Sequence, residues 1–139
     1  MTTPPVGTVT AIGLVRSTLV DVTSAPKQGD EGAPEAWIDI DPAHALGVRD
    51  LEEGAEVLVL TWLHRADRGA LLVRPRDDPD APLTGVFSTH SADRPNPIGV
   101  HRVRLLRVDG LRRLVTDLEA VDATPVLDIK PVLDRSSER

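Results

Sequence analysis

Apolar residues along the chain recur mostly at every second position or in short runs, and clusters of Gly, Pro and Asp separate them. This spacing is typical of β-strands, whose side chains alternate between the two faces of a sheet. The pattern predicts strands at residues 9–15, 37–40, 57–63, 70–73, 85–88, 100–108, 114–121 and, as a short strand, 126–129. The expected fold class is therefore all-β, a compact barrel or sandwich in one domain.

Two of these predicted strands carry more detail. The segment 57–63, within "AEVLVLTWLH", is apolar on both of its faces. A strand of this kind is covered on both sides, so we expect it to lie in the centre of the sheet. In "VHRVRLLRV" the alternation slips at Leu105 and Leu106, which predicts a β-bulge or a change of face.

One short helix is predicted after the second strand. Asp41 can cap it, Pro42 suits its first position, and Gly47 ends it. The stretches 23–36 and 74–82 are rich in Pro, Gly and Asp without an apolar period, so we expect loops there. Long loops in a compact domain often carry functional residues.

Length and composition limit the class of protein. The 139 residues suit a single domain, 1–139, with frayed ends at 1–5 and 134–139. The chain has no cysteine, no leader-like stretch at its start and no apolar run long enough to span a bilayer. We therefore expect a soluble, cytoplasmic protein that does not enter a membrane.

The charge balance argues against broad attraction to nucleic acid. The net charge is −6, with 22 acidic and 16 basic side chains, which opposes non-specific binding to a phosphate backbone. Aromatic residues are too few to form a stacking platform for single strands. A local basic patch stays open, although the simpler interpretation places its arginines on the solvent face of a hairpin. They are Arg102, Arg104, Arg107, Arg112 and Arg113.

The common catalytic and cofactor motifs are missing. The four histidines, His44, His64, His90 and His101, show none of the spacings of a metal site, so no metal is expected. The chain has neither the glycine-rich dinucleotide fingerprint nor the phosphate-binding P-loop. It also lacks G-x-S-x-G, which argues against a serine hydrolase.

The stretch "SADRPNPIG", residues 91–99, is the first candidate binding loop. Pro95 and Pro97 fix their own backbone and restrict Arg94 and Asn96 to extended geometry. A guanidinium and a carboxamide held in this way can meet a ligand with little loss of backbone entropy. A rigid turn between two strands is the alternative interpretation.

A second polar cluster lies in "DATPVLDIKP", residues 122–131. Asp128 and Lys130 are two positions apart, so they project from one face of an extended segment. Prolines again follow polar residues here, at Pro125 and Pro131. A binding site and a plain surface ion pair between Asp128 and Lys130 both remain open.

Together these stretches resemble a known family. "GVFSTHSADRPNPIG" (85–99) followed by "DATPVLDIKP" (122–131) is similar to the paired signature of the TsaA/TrmO-like family. Members of that family are S-adenosylmethionine-dependent methyltransferases that act on threonylcarbamoyladenosine beside the anticodon of certain tRNAs. "IGLVRS" (12–17) and "APKQG" (25–29) resemble the family's opening strand and the loop after it.

The resemblance implies a compact β-barrel-like fold that commonly forms a homodimer and binds S-adenosyl-L-methionine outside any Rossmann frame. It implies the cofactor-binding residues as well, with 123–126 contributing backbone groups. They are Pro26, Lys27, Gln28, His64, Arg65, Arg94, Asn96, Ala123, Thr124, Pro125, Val126, Asp128 and Lys130. Asp128 and His90 are candidates for accepting a proton, although methyl transfer requires no strong base.

The chain departs from the family at two of these positions. His90 stands where the family usually has an arginine, and Ala123 stands where it usually has a glycine. tRNA is the partner and acceptor that the resemblance implies. A small metabolite is the alternative acceptor, because tRNA-modifying members often carry a further C-terminal domain. A non-catalytic module that binds S-adenosylmethionine or a nucleoside and regulates a partner is the alternative from another class.

Overall fold

The computed structural model describes residues 1–18 and 35–133 and confirms the all-β class. The strands in these ranges are β1 (Gly13–Arg16), β2 (Ala36–Ile40), β3 (Glu56–Trp62), β4 (Leu72–Val73), β5 (Thr84–Gly85), β6 (Ile98–Asp109), β7 (Arg112–Val115) and β8 (Pro125–Pro131). Three short 3₁₀ helices accompany them, at Pro42–Val48, Pro75–Asp77 and Val86–Ser88. In these ranges no helix is long and apolar enough to cross a membrane.

Six strands close into an antiparallel barrel in the order β1-β2-β7-β6-β3-β8, and β4 and β5 form a separate pair. β3 lies between β6 and β8, because Thr61 pairs with Gly99 on one side and with Val126 on the other. Every strand of a closed barrel has two neighbours, so β3 is no more central than the other five, and the predicted central position does not apply. Its inward side chains are buried and its outward ones half-buried, so only one face is fully covered.

The core fills the barrel interior with β-branched and aliphatic side chains. Inward positions alternate along each strand, as the period of two in the sequence predicts. Each fully buried side chain of this size contributes about 1.5–3 kcal/mol. The most buried members are Val15, Ile38, Val59, Leu105, Val115, Leu118 and Val126.

Several predicted strand limits are wrong. The first strand starts at Gly13 instead of residue 9, since Gly13 pairs with Ile40, where the partner strand ends. The strand predicted at 114–121 ends at Val115, and the chain then turns at Asp117, whose φ is 51°. The stretch predicted as a strand at 85–88 is largely a 3₁₀ turn.

The bulge and the helix cap are confirmed. The register between β6 and β7 shifts between Leu105 and Arg107. The side chain of Asp41 accepts a hydrogen bond from the backbone N–H of Ala43 at 2.9 Å. The helix itself is 3₁₀ and ends at Val48, one residue beyond Gly47.

Because neighbouring barrel strands run in opposite directions, strand ends and strand starts alternate around one end of the barrel. We call this end the upper rim. It is defined by Arg16, Ala36, Trp62, Ile98, Val115 and Pro125. Among the described residues, the chain between β3 and β6 and the chain between β7 and β8 connect strands at this rim. The described segments that carry His64, Arg65, Arg94, Asn96 and residues 123–126 are therefore brought to one end of the barrel.

Candidate functional site

The upper rim collects most of the predicted cofactor residues. His64 and Arg65 follow β3, Arg94 and Asn96 precede β6, and the stretch 123–126 leads into β8. Pro26, Lys27 and Gln28 lie outside the described residues. The described residues nearest to them in sequence, Thr18 and Glu35, adjoin the rim ends of β1 and β2.

The proline loop and the 122–131 segment lie on either side of one strand. Thr61 of β3 pairs with Gly99 and with Val126, so these two residues are two strand spacings apart. At a spacing of 4.7–4.9 Å per strand this separation is about 10 Å. The two stiff segments therefore start at neighbouring points of the same rim.

The proline loop is held against the chain that follows β3. The guanidinium of Arg68 donates from Nε to the backbone carbonyl of Pro95 at 2.8 Å and from Nη2 to Oδ1 of Asn96 at 3.3 Å. It also lies over the ring of Trp62, 5.1 Å from the centroid, a favourable cation–π geometry. Asn96 is thus fixed by a second, sequence-distant arginine that the sequence pattern did not single out.

Arg94 points back into its own loop. Nη1 donates to the carbonyl oxygens of Thr89 and Ser91, at 3.0 and 2.9 Å, and Nη2 donates to that of Val86 at 2.9 Å. Three of the five N–H groups of a guanidinium are thereby used on the backbone. These bonds fix the backbone of residues 86–91. Only the remaining N–H groups of Arg94 are available for a contact with a cofactor.

The turn before β8 is built around a left-handed residue. Ala123 has φ 69°, and its N–H donates to the carbonyl of Val15 at 2.7 Å. Val15 in turn donates to the carbonyl of Thr124 at 2.9 Å, and the Thr124 hydroxyl donates to the carbonyl of Val121 at 2.7 Å. These backbone groups anchor the turn to β1.

A cleft of about 480 Å³ opens beside this turn and is called here the loop-side cleft. Its volume lies in the range of small-molecule sites, roughly 300–1,000 Å³. It offers the carboxylates of Glu35 and Asp122 and the guanidinium groups of Arg16 and Arg107. Oδ1 of Asp122 accepts a hydrogen bond from the N–H of Ser17 at 3.0 Å, which ties the end of β1 to the turn.

Asp128 and Lys130 form an ion pair lower on β8. Lys130 Nζ lies 3.1 Å from Oδ2 of Asp128, and both side chains are more than half exposed. The pair borders neither of the two clefts described here. The surface ion pair that the sequence left open is present, and a role for these residues beside a cofactor stays a prediction.

A second cleft, of about 510 Å³, borders the first half of β6 and is called here the β6 cleft. His90 lines it, together with His101 and Glu119. Nε2 of His101 lies 2.8 Å from the Thr61 hydroxyl, and Nδ1 lies 3.4 Å from Oε1 of Glu119. Sequence reasoning missed this cluster, although a histidine at an inward position of a strand was a visible signal.

The arginines of the β6–β7 hairpin lie mostly on the solvent face, as predicted. Arg102 and Arg104 both pair with Glu56, at 2.7 and 2.8 Å. Hydrogen bonding and charge from Arg102 hold the pKa of Glu56 below its ordinary value. Arg113 is the exception, because it is only 4% exposed and donates to the buried carbonyl of Val48; burial lowers its pKa.

In the described ranges, no group of three or more His, Asp or Glu side chains could hold a metal ion. The described chain forms a small closed β-barrel, and its connections at the upper rim carry the polar groups described above.

Comparison with known proteins places this barrel in a family. Residues 14–137 match the family described as the tRNA-methyltransferase O N-terminal domain, and the chain belongs to that family. The resemblance stated from the sequence is confirmed.

Relatives and solved structures agree with this assignment. A probable S-adenosyl-L-methionine-binding protein of Archaeoglobus fulgidus is 44% identical over 86% of the chain, which spans 32% of that protein. A protein of the same description from Methanothermobacter thermautotrophicus is 42% identical over 86% of the chain and 85% of its own length. The crystal structure of TrmO from Pseudomonas aeruginosa superposes with a TM-score of 0.73 at 28% identity, covering 97% of this chain and 60% of that one.

Proposed function

We propose that this chain is a cytoplasmic, homodimeric methyltransferase that binds S-adenosyl-L-methionine at the upper rim and methylates threonylcarbamoyladenosine in tRNA. The observation that carries the proposal is the meeting at one rim of segments far apart in sequence, 63–65, 94–97 and 123–126. The family description and the names of the relatives support the same reaction class.

The residues at the rim fit the chemistry of such a cofactor. Its carboxylate suits a guanidinium, and its sulfonium and ammonium groups suit carboxylates. The loop-side cleft offers both kinds of partner, with Arg16 and Arg107 beside Glu35 and Asp122. Bound S-adenosylmethionine supplies an activated methyl group.

The contribution of the protein is to bind and orient. The N–H of Ala123 donates to the carbonyl of Val15, and the N–H of Val15 donates to that of Thr124, which fixes the turn at the rim, while Arg94 fixes the course of 86–91. Groups that are fixed before binding hold the reacting atoms close and aligned, and this can lower the barrier by about 7–11 kcal/mol. No side chain has to act as a strong base for this contribution.

Titration calorimetry with S-adenosylmethionine tests the cofactor site. Wild-type protein is expected to bind, and Asp122→Asn to bind less tightly, because the exchange removes a charge from the loop-side cleft. Asp50→Asn is the matched control, since Asp50 is exposed, pairs with Arg49 and borders neither of the two clefts described here. Absence of binding to the wild-type protein would refute the proposed function.

Methyl transfer from labelled S-adenosylmethionine to unfractionated tRNA tests the acceptor. Incorporation into tRNA that carries threonylcarbamoyladenosine, and not into tRNA that lacks it, is expected. Incorporation into metabolite extracts alone would identify a small-molecule methyltransferase. Cofactor binding without transfer to either would favour a regulatory module.

A further inference from the structure

His101 is a buried polar side chain that joins two strands near the upper rim. It is 5% exposed, and its Nε2 lies 2.8 Å from the hydroxyl of Thr61 in β3. Thr61 is itself fully buried and pairs with Gly99 on one side and with Val126 on the other. His101 follows Gly99 closely in β6. The hydrogen bond therefore ties β6 to β3 beside the end of the proline loop and beside the turn before β8.

The other ring nitrogen of His101 faces the chain that leads into that turn. Nδ1 lies 3.4 Å from Oε1 of Glu119. Glu119 precedes Val121, whose carbonyl accepts hydrogen bonds from the N–H and the hydroxyl of Thr124. A carboxylate oxygen only accepts hydrogen bonds, so a proton on Nδ1 is favoured, and Nε2 then accepts from the Thr61 hydroxyl.

The bond between Thr61 and His101 continues into the rim segments. The N–H of Leu63, just beyond β3, donates to the carbonyl of Pro97 at 2.8 Å, so the chain after β3 is held to the proline loop. The Thr61 hydroxyl cannot be removed without leaving Nε2 of His101 buried and unpaired. Movement of β6 away from β3 would relieve this cost, and it would carry the proline loop with it.

We propose that His101 is a positioning residue of the cofactor site. Through Thr61 and Glu119 it fixes the spacing of the rim segments 63–65, 94–97 and 123–126. This inference rests on the proposed function, and it assigns His101 no contact with the cofactor. If the segments drift apart in the free protein, the apparent dissociation constant rises as the fraction of binding-competent protein falls.

Two exchanges at Thr61 test the proposal by calorimetry with S-adenosylmethionine. Thr61→Val keeps the shape of the side chain and removes the hydroxyl. It is expected to raise the dissociation constant roughly 5- to 150-fold, the factor that corresponds to one unsatisfied buried polar group. Thr61→Ser restores the hydroxyl and is expected to bind the cofactor almost as tightly as the wild type.

Val57→Ala is the control for a general loss of stability. Val57 is buried in the same strand at its other end, and the exchange leaves a cavity in the core. It is expected to lower the melting temperature and to keep wild-type affinity for the cofactor. Equal losses of affinity in Val57→Ala and Thr61→Val would overturn the inference, as would wild-type affinity in Thr61→Val. If Thr61→Val does not fold, Glu119→Ala decides, and unchanged affinity there overturns the inference as well.

Hydrogen exchange without cofactor separates this inference from the proposed function. The amides of Leu63, Ala123 and Thr124 donate to backbone carbonyls at the rim. They are expected to exchange faster in Thr61→Val than in Val57→Ala, and equal rates would overturn the inference even where the cofactor binds. Wild-type protein that fails to bind S-adenosylmethionine would refute the proposed function, and the exchange rates would still show whether His101 holds the rim segments together.

Discussion

Gly99 lies so close to Thr61 that a Cβ built on it would stand 2.5 Å from the Thr61 hydroxyl oxygen. The same Cβ would stand 2.8 Å from Nε2 of His101, the atom that is hydrogen-bonded to Thr61. The absence of a side chain at the end of the proline loop therefore lets β6 pair with β3 while this buried hydrogen bond forms.

Gly99→Ala is expected to destabilise the protein by roughly 1–3 kcal/mol, the usual cost of overpacking a close contact. Urea denaturation measures the loss. Gly85→Ala is the matched control, because a Cβ at Gly85 would meet no atom within 4 Å. A Gly99→Ala protein as stable as wild type would show that β6 can move away from Thr61 at no cost.

Ala123→Gly is expected to stabilise the protein by about 1 kcal/mol. Ala123 has φ 69°, where a Cβ costs roughly 1–2 kcal/mol that glycine avoids, partly offset by glycine's greater freedom in the unfolded chain. Ala43→Gly, in the 3₁₀ helix and without positive φ, is expected to destabilise by a similar amount. Equal effects of the two exchanges on thermal unfolding would contradict this account.

Much of the fold was predictable, because it depends on local patterns. The bulge near Leu106 and the cap at Asp41 each follow from a few neighbouring residues, and the structure confirms them. The strand limits were less predictable, since a strand ends where its partner ends. The pairing of Gly13 with Ile40 is a long-range contact, and the apolar period at 9–15 does not predict it.

The candidate site likewise has a part that local sequence patterns predict and a part that depends on long-range contacts. The proline loop and the 122–131 segment were identifiable from stiff backbone around polar groups, and pairing through Thr61 brings them near each other. Arg68, which fixes Asn96, and the pair of His101 and Glu119 were not identifiable. These contacts join residues 18 to 28 positions apart, and no spacing rule in one sequence predicts them.

Arg94→Ala is expected to weaken S-adenosylmethionine binding by roughly 1.5–3 kcal/mol, the range for a lost hydrogen bond to a charged group. The structure adds an indirect route, because Arg94 also holds the carbonyls of Val86, Thr89 and Ser91. Calorimetry measures the affinity, and hydrogen exchange at 86–91 measures loss of order in the loop. An unchanged dissociation constant would remove Arg94 from the cofactor site.

Arg94→Lys separates the two routes. A single ammonium cannot reproduce the planar set of donors that reaches three carbonyls, so lysine is expected to leave 86–91 as exchange-labile as alanine does. If affinity recovers while exchange stays fast, Arg94 contacts the cofactor by charge. Arg49→Ala is the control, because Arg49 is largely exposed and pairs only with neighbouring Asp50 among the described residues.

The free energy of unfolding depends on pH through Glu56, and the ion pairs with Arg102 and Arg104 set the direction of this dependence. A hydrogen bond and charge from Arg102, with a smaller contribution from Arg104, hold the pKa of Glu56 in the folded state below its ordinary value of 4.5. A carboxyl with a lowered folded pKa binds protons more readily when unfolded. Its stabilising contribution is therefore present above pH 4.5 and is lost as the pH falls through the folded pKa.

Denaturation of wild type and Glu56→Gln across pH 2–7 tests this direction, with about 0.1 M salt kept constant because exposed pairs are screened. The wild type is expected to be the more stable of the two near neutral pH, and the gap should close on the acid side of pH 4.5. Glu53→Gln should show no such gap, because Glu53 is exposed and has no ion pair among the described residues. A gap that persists unchanged to pH 2 would mean that Glu56 stabilises the hairpin through packing and not through its charge.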